Sequence, residues 1–258
     1  MGTIVTIEVL QPNADAAIDR AFGWFREIEA RCTRFNPASE LMQLVAQPVA
    51  QPSVPVPASP ILFEAVRFSL MAAEATEGAF DPTTTGHYKD IFIDPEQNTI
   101  TLTRPLTLDL GAVAKGLAVD AAARELEPFE DFAIDAGGDL YLGGLNPNAE
   151  PWTVGIRHPR REREVIHTLR ASNQAVCTSG DYERGYHIQD PRTGETARSV
   201  ASATVIAPSA MLADALATAA FVLGPDEGIR LLDRMGVEGL IFTPDLERAE
   251  TRGLPRVA

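Results

Sequence analysis

Lysine is nearly absent from this chain: Lys89 and Lys115 are the only two among its 22 Lys and Arg residues. Cysteine is as scarce. Cys32 and Cys177 lie far apart and in no CxxC or Cys/His spacing, which excludes a disulfide framework and a zinc site and leaves two reduced core thiols as the expectation. No apolar run reaches the roughly 18 residues that a membrane span needs. The opening MGTIVTIEVL enters strand alternation at once, without a basic n-region or a cleavable apolar stretch. A cytoplasmic location is therefore expected for the chain as it stands, and a periplasmic one if a leader has been removed. No fixed-period repeat occurs, so solenoids are excluded. Basic runs are missing too, apart from Arg157-His158-Pro159-Arg160-Arg161-Glu162-Arg163. With a formal net charge of −14, the chain has nothing like a surface that tracks phosphates, and nucleic acid is not expected as a partner. The same acidity repels small anions, so a phosphate-bearing ligand would need a local positive charge or a bound cation.

What is present is ordinary globular material: at 258 residues and 45% hydrophobic, the chain can bury a sizeable core. Residues 3–10 alternate like a strand, and Ala14, Ala17, Ile18, Ala21, Phe22, Phe25 and Ile28 then recur at helical spacing. The stretch 47–60 carries five prolines and is expected to be a loop or linker, neither helix nor central strand. A helix over 61–76 should stop at Gly78. Strand 107–110, helix 113–126 and a series of short strands follow, then a strand in ATVIAP. Helix 210–223 has Ser209 as its N-cap and Gly224-Pro225 as its stop, and helix 226–235 and strand 239–242 close the chain. The fold class is α+β or mixed α/β without regular βαβ alternation.

Candidate chemistry begins with SAMLADALATAAFVLG, where Asp214 and Thr218 are the only polar side chains over 210–223 and, four apart, share one face. A helix apolar nearly all round is a buried helix, and a carboxylate there must be paired or hold a cation. Two readings stay open: a capped loop or an arginine partner such as Arg184 or Arg192, or a hard-metal site whose carboxylate and hydroxyl oxygens suit Mg²⁺ better than Zn²⁺. In TLDLGAVAKGLAVD, Asp109 is read at a strand end, Gly111 at a turn and Lys115 in the first turn of a helix. Free N–H groups there would favour an anion, although GAVAKG lacks the Walker spacing and a purely structural role remains open. Gly137-Gly138 suit either close backbone approach by a ligand or a tight hairpin. The loop TSGDYERGYHIQDPRTGE gathers Asp181, Tyr182, Arg184, His187, Asp190, Arg192 and Thr193, and DPRTG by itself is turn chemistry. His187 is read as a structural histidine or, by its company, a base. In EGAFDPT, Phe80 beside the Asp81-Pro82 turn could wall a planar ligand, or the turn alone explains the segment.

Taken together and in order, MGTIVTI, TRFNPASEL, GAFDPT, LDLGAVAKGLAVD, DAGGDLYLGG, TSGDYERG with HIQDPRTG, and TVIAPSAMLADALATAAFVLG resemble the FAD:protein FMN transferases, the ApbE-type flavin transferases. The resemblance spans essentially the whole chain. It implies an α+β, T-fold-related architecture of mixed sheets with packed helices, as one domain over residues 1–258 or as two lobes about the proline-rich loop 47–60. It also implies FAD as substrate, Mg²⁺ as cofactor, and transfer of FMN to a Ser or Thr hydroxyl of an acceptor flavoprotein with release of AMP. By matching position, Asp214, Thr218 and the backbone carbonyl of Ala112 would hold the metal. Met1, Phe35, Ala79, Phe80, Asp81, Asp109, Lys115 and the backbone around Ile188 would contact the flavin nucleotide, and His187 would be the base. The sequence departs from the family in a shortened segment between FDPT and LDLG, in Phe35 where a larger polar aromatic is usual, and in the missing lipoprotein leader. FAD hydrolysis to FMN and AMP, or non-catalytic flavin binding by a degenerate site, are the alternative functions.

Overall fold

The computed structural model describes residues 3–49, 53–182 and 188–254. Its centre is a seven-stranded, wholly antiparallel sheet in the order β1 (Val5–Val9), β7 (Phe132–Ala136), β8 (Leu140–Gly143), β11 (Gln174–Gly180), β12 (Ser202–Ala207), β13 (Glu238–Phe242) and β14 (Arg248–Glu250). Strand β12 is buried along its whole length because both sheet faces are covered there. Its Ala203, Val205 and Ala207 join the main core under the helices, whereas Ile206 joins a smaller core on the opposite face. That smaller core is closed by the hairpin of β9 (Trp152–Arg157) and β10 (Val165–Ala171), through Val154, Ile156, Leu169 and Ala171.

The helical layer consists of α1 (Asp15–Cys32), α2 (Glu40–Val45), α3 (Pro60–Ala75), α4 (Gly111–Leu126) and α5 (Ala210–Met235). Helix α4 is buried almost all round by packing between α1 and α5. The expected break at Gly224-Pro225 is present: Gly224 has φ 86° and ψ 175°, so α5 is two helical runs joined at a kink. Both cysteines are buried and free, as expected. The main core draws on residues from Ala17 to Ile241, on both sides of the proline-rich stretch. Among the described residues, no helix is long and apolar enough to cross a membrane.

The differences from expectation are local. The 47–60 stretch is not wholly a loop: β2 (Val56–Pro57) is an edge strand, a place that tolerates proline, and Pro60 opens α3 behind the Ser59 cap. The region after GAFDPT holds β3 (Thr83–Thr85), a single 3₁₀ turn at Tyr88–Asp90, β4 (Ile91–Asp94), β5 (Thr99–Leu102) and β6 (Thr107–Leu108). The β4–β5 hairpin and α2 have no counterpart in the sequence reading. The hairpin had a signal, since alternating IFID and TITL flank an Asp-Pro turn. β6 pairs with β3, which brings the FDPT turn to the start of α4.

Candidate active site

Asp109 joins three segments that are distant in sequence. Its backbone N–H donates to Pro82 O at 2.8 Å, its Oδ1 accepts from Gly111 N at 2.9 Å, and its Oδ2 pairs with Arg34 Nε at 3.0 Å. The Arg34 guanidinium lies 4.6 Å from the Phe35 ring centroid, and that ring is 79% exposed. Phe35, Asp109 and the FDPT turn therefore meet at one surface. An exposed aromatic held by a cation offers a flat apolar face to a planar ligand. Arg34 belongs to this group although the sequence reading passed over it. Its spacing from Asp109 carries no local signal.

Ala79 and Phe80 are buried in the main core, so Phe80 does not wall an open surface. Asp81 behaves as turn chemistry predicts: Oδ1 accepts from Thr83 N at 2.8 Å and Oδ2 from Tyr88 N at 3.1 Å. The start of α4 also differs from the expected anion cradle. The strand ends at Leu108 and the helix begins at Gly111, which puts Lys115 in the second turn. Three of the first N–H groups are already used, Gly111 by Asp109 and both Val113 and Ala114 by Leu110 O. Little of the helix terminus remains for a phosphate, and positive charge must come from the Lys115 side chain.

Lys115 points into a buried acidic cluster. Its Nζ lies 2.5 Å from Asp139 Oδ2, and Asp139 is only 1% exposed. Burial works against the ammonium, but the charges of Asp214 and then Asp139 outweigh it and hold Lys115 protonated well above the ordinary lysine range. Asp139 Oδ1 is buried with no hydrogen-bond partner among the described residues. Asp139, like Arg34, is a site residue that the sequence reading missed. Its segment, DAGGDLYLGG, stood out for its glycines and its place in the family pattern, not for this carboxylate.

Asp214 is 5% exposed on α5, with Thr218 one turn further along the same helix. The Thr218 hydroxyl lies 3.2 Å from Ser179 Oγ on β11. Helices α4 and α5 are locked so that Lys115 and Asp214 stay close. At Gly116 there is no room for a side chain: a Cβ would sit 2.5 Å from the Met211 backbone. One turn on, Asp120 reaches across to accept from Ala210 N at 2.7 Å and Met211 N at 3.0 Å, capping α5 from its neighbour. Cys177 sits under the same junction, where burial pushes its thiol well above the ordinary value.

The suggested partner Arg192 does not serve Asp214. It pairs with Asp190 at 2.8 Å inside the DPRTG turn. Ile188 O accepts from Ala197 N at 3.0 Å, and the Arg192 side chain passes Gly78, which brings this turn beside GAFDPT. Before it, Asp181 is held by Arg160 through two bonds of 2.6 and 2.9 Å, and the Tyr182 ring lies 4.4 Å from the Arg157 guanidinium. Met1, His187 and the suggested partner Arg184 lie outside the described residues. Among the described residues, no three His, Cys, Asp or Glu side chains converge as a metal site. For a cation, Asp214 and Thr218 present a carboxylate and a hydroxyl one turn apart on α5, and Ala112 lies in the first turn of α4. Carboxylate, hydroxyl and backbone carbonyl are all hard oxygens, and they fit Mg²⁺ in kind.

The sequence profile of the ApbE family matches residues 1–241. The FAD:protein FMN transferase of Haemophilus influenzae is 33% identical over 160 residues, which cover 56% of this chain and 46% of that protein. The FAD:protein FMN transferase of Vibrio cholerae is 35% identical over 54% of this chain and 45% of that protein. The chain thus matches about half the length of these curated relatives. The Treponema pallidum protein of the same name is 29% identical and is covered to 85%, with 98% of this chain aligned. Among solved structures, the flavin transferase ApbE from Vibrio cholerae superposes with a TM-score of 0.87 at 26% identity, covering 98% of this chain and 94% of that one. An ApbE protein from Thermotoga maritima gives 0.86 at 28% identity, covering 97% and 94%. With a profile match over nearly its full length and an α+β fold that superposes end to end, the chain belongs to the ApbE family.

Proposed function

We propose that the chain is a Mg²⁺-dependent FAD:protein FMN transferase acting as one domain. The hydroxyl oxygen of an acceptor Ser or Thr attacks the FMN phosphorus of FAD, the bond from that phosphorus to the bridging oxygen breaks, and AMP leaves with that oxygen. The acceptor protein gains FMN through a phosphoester, and the hydroxyl proton passes to a base. The observation that carries this reading is the buried Lys115–Asp139 pair at the locked α4–α5 junction, where the Asp214 charge acts on the same ammonium.

Each residue has a role that follows from its surroundings. Asp214, Thr218 and the Ala112 carbonyl would hold the cation, and Ser179 orients the Thr218 hydroxyl from 3.2 Å. Bound Mg²⁺ supplies neutralisation of charge on the diphosphate and on the departing AMP. Lys115, kept protonated by two carboxylates, offers a second positive contact to phosphate oxygen. Phe35 gives the isoalloxazine a flat exposed face, and Asp109 fixes that face by holding Arg34. Met1, the backbone of Ala79, Phe80 and Asp81, and the backbone around Ile188 complete the nucleotide contacts. His187 takes the proton of the acceptor hydroxyl. Positioning and electrostatics supply most of the rate, as in phosphoryl transfer generally.

The test is incubation with FAD, Mg²⁺ and a partner bearing a candidate acceptor Ser or Thr, followed by the partner's mass and an AMP assay. A mass gain of one FMN with AMP released supports transfer. AMP without that gain means FAD hydrolysis, and bound flavin with neither product means a non-catalytic flavin binder. Either of the last two outcomes overturns the proposal.

A further inference from the structure

Asp139 and Asp214 reach the candidate site from different elements, one beside β8 and one on α5, and the single ammonium of Lys115 is held by the first. Asp139 has little freedom. Its carbonyl accepts from Ala136 N at 2.9 Å, Gly137 and Gly138 before it have φ 69° and 93°, and the Thr3 hydroxyl fills the space a Gly137 Cβ would take. Lys115 is different: a flexible four-carbon stem carries its charge, so its position depends on its partner.

We propose that Asp139 is a positioning residue for cation binding: by holding the Lys115 ammonium it keeps that ammonium off Asp214, so that Asp214 and Thr218 meet a divalent cation without a lysine in the way. This rests on the cation reading given above. The physical reason is competition for one buried carboxylate. An ammonium that loses its partner in a poorly hydrated site moves to the nearest remaining negative charge, because leaving it unpaired there is costly. With Asp139 neutralised, that charge is Asp214, and an incoming cation must first displace the lysine. In the intact protein the same pairing holds Lys115 on the side of β8, which would leave Asp214 to a cation.

The experiment measures Mn²⁺ binding to the full chain without FAD, by the loss of the free-ion electron paramagnetic resonance signal. The proteins are wild type, Asp139→Asn, Lys115→Met and the double variant. Asp139→Asn should weaken Mn²⁺ by about tenfold or more, the factor set by displacing one partly buried ion pair. Lys115→Met should bind at least as tightly as wild type, and the double variant should recover to the level of Lys115→Met. Recovery on removing a second side chain is not expected of a residue that only supports the fold, nor of one that ligates the cation itself. Wild-type affinity in Asp139→Asn, or a double variant as weak as Asp139→Asn, overturns the proposal. Failure of the wild type itself to bind Mn²⁺ overturns the cation reading and this inference with it.

Discussion

Replacing Asp120 by alanine removes the side chain that ties α4 to α5. Its two carboxylate oxygens accept from Ala210 N and Met211 N at 2.7 and 3.0 Å, and Asp120 is only 6% exposed. Alanine would leave two buried N–H groups unsatisfied, at about 1–3 kcal/mol each. Part of that loss is offset, because burying the carboxylate is itself unfavourable. Burial raises the Asp120 carboxyl above its ordinary value and outweighs the two amide bonds and Arg124, which lower it. The net expectation is a loss of about 3 kcal/mol, or roughly 6–12 °C in Tm for a chain of this size. Asp120→Asn should recover no more than half, since its Oδ1 can accept one bond while its amide would face a second donor. The pH dependence carries a definite sign. A carboxyl whose folded value is raised makes ionisation costly to the fold, so the wild-type advantage over Asp120→Ala is larger in acid. It shrinks as pH rises from the unfolded value through the raised folded one, then stays level. Thermal and denaturant unfolding across pH measures both effects. A loss under about 1 kcal/mol at neutral pH, or an advantage that grows with pH in that window, would refute the reasoning.

Asp214→Asn should abolish Mg²⁺-dependent turnover of FAD while the protein stays folded, and undiminished turnover in a titration with Mg²⁺ would rule out the metal role. Gly116→Ala drives a Cβ into the Met211 backbone and should cost about 1–3 kcal/mol despite the better helix propensity of alanine, seen as a lower denaturation midpoint together with weaker turnover. Phe35→Ala should raise the KM for FAD with little change in Tm, because the ring is exposed and its loss leaves no cavity. Phe35→Tyr should keep the wild-type KM. Both thiols should resist iodoacetamide at pH 8 in the native protein and react after denaturation, read by mass spectrometry, since burial pushes Cys32 up to about 12 and Cys177 well above its ordinary value.

Several features of the fold are legible in the sequence because they depend on residues a few positions apart. Helical spacing marks α1, the Gly224-Pro225 break in α5 follows from one glycine and one proline, and Ser209 caps its helix by bonding Leu212 N at 3.3 Å. The placement of Asp214 and Thr218 on one buried face is legible for the same reason, since a four-residue interval fixes their relation. The pairings that assemble the candidate site are not of this kind. Asp120 meets Ala210 across 90 positions, and Lys115 meets Asp139 only because α4 lies against the loop between β7 and β8. Arg34 reaches Asp109 because α1 packs along α4 and α2 meets β6, which brings the end of α1 to the start of α4. The sequence by itself determined which residues could carry charge, where helices stop and which face is buried. Tertiary packing alone decided which carboxylate holds the one lysine of the site, that the α4 terminus spends its N–H groups internally, and that Phe80 turns inward while Phe35 stays open. Local periodicity sets the direction of a side chain within its own element, whereas its partner depends on how the elements pack.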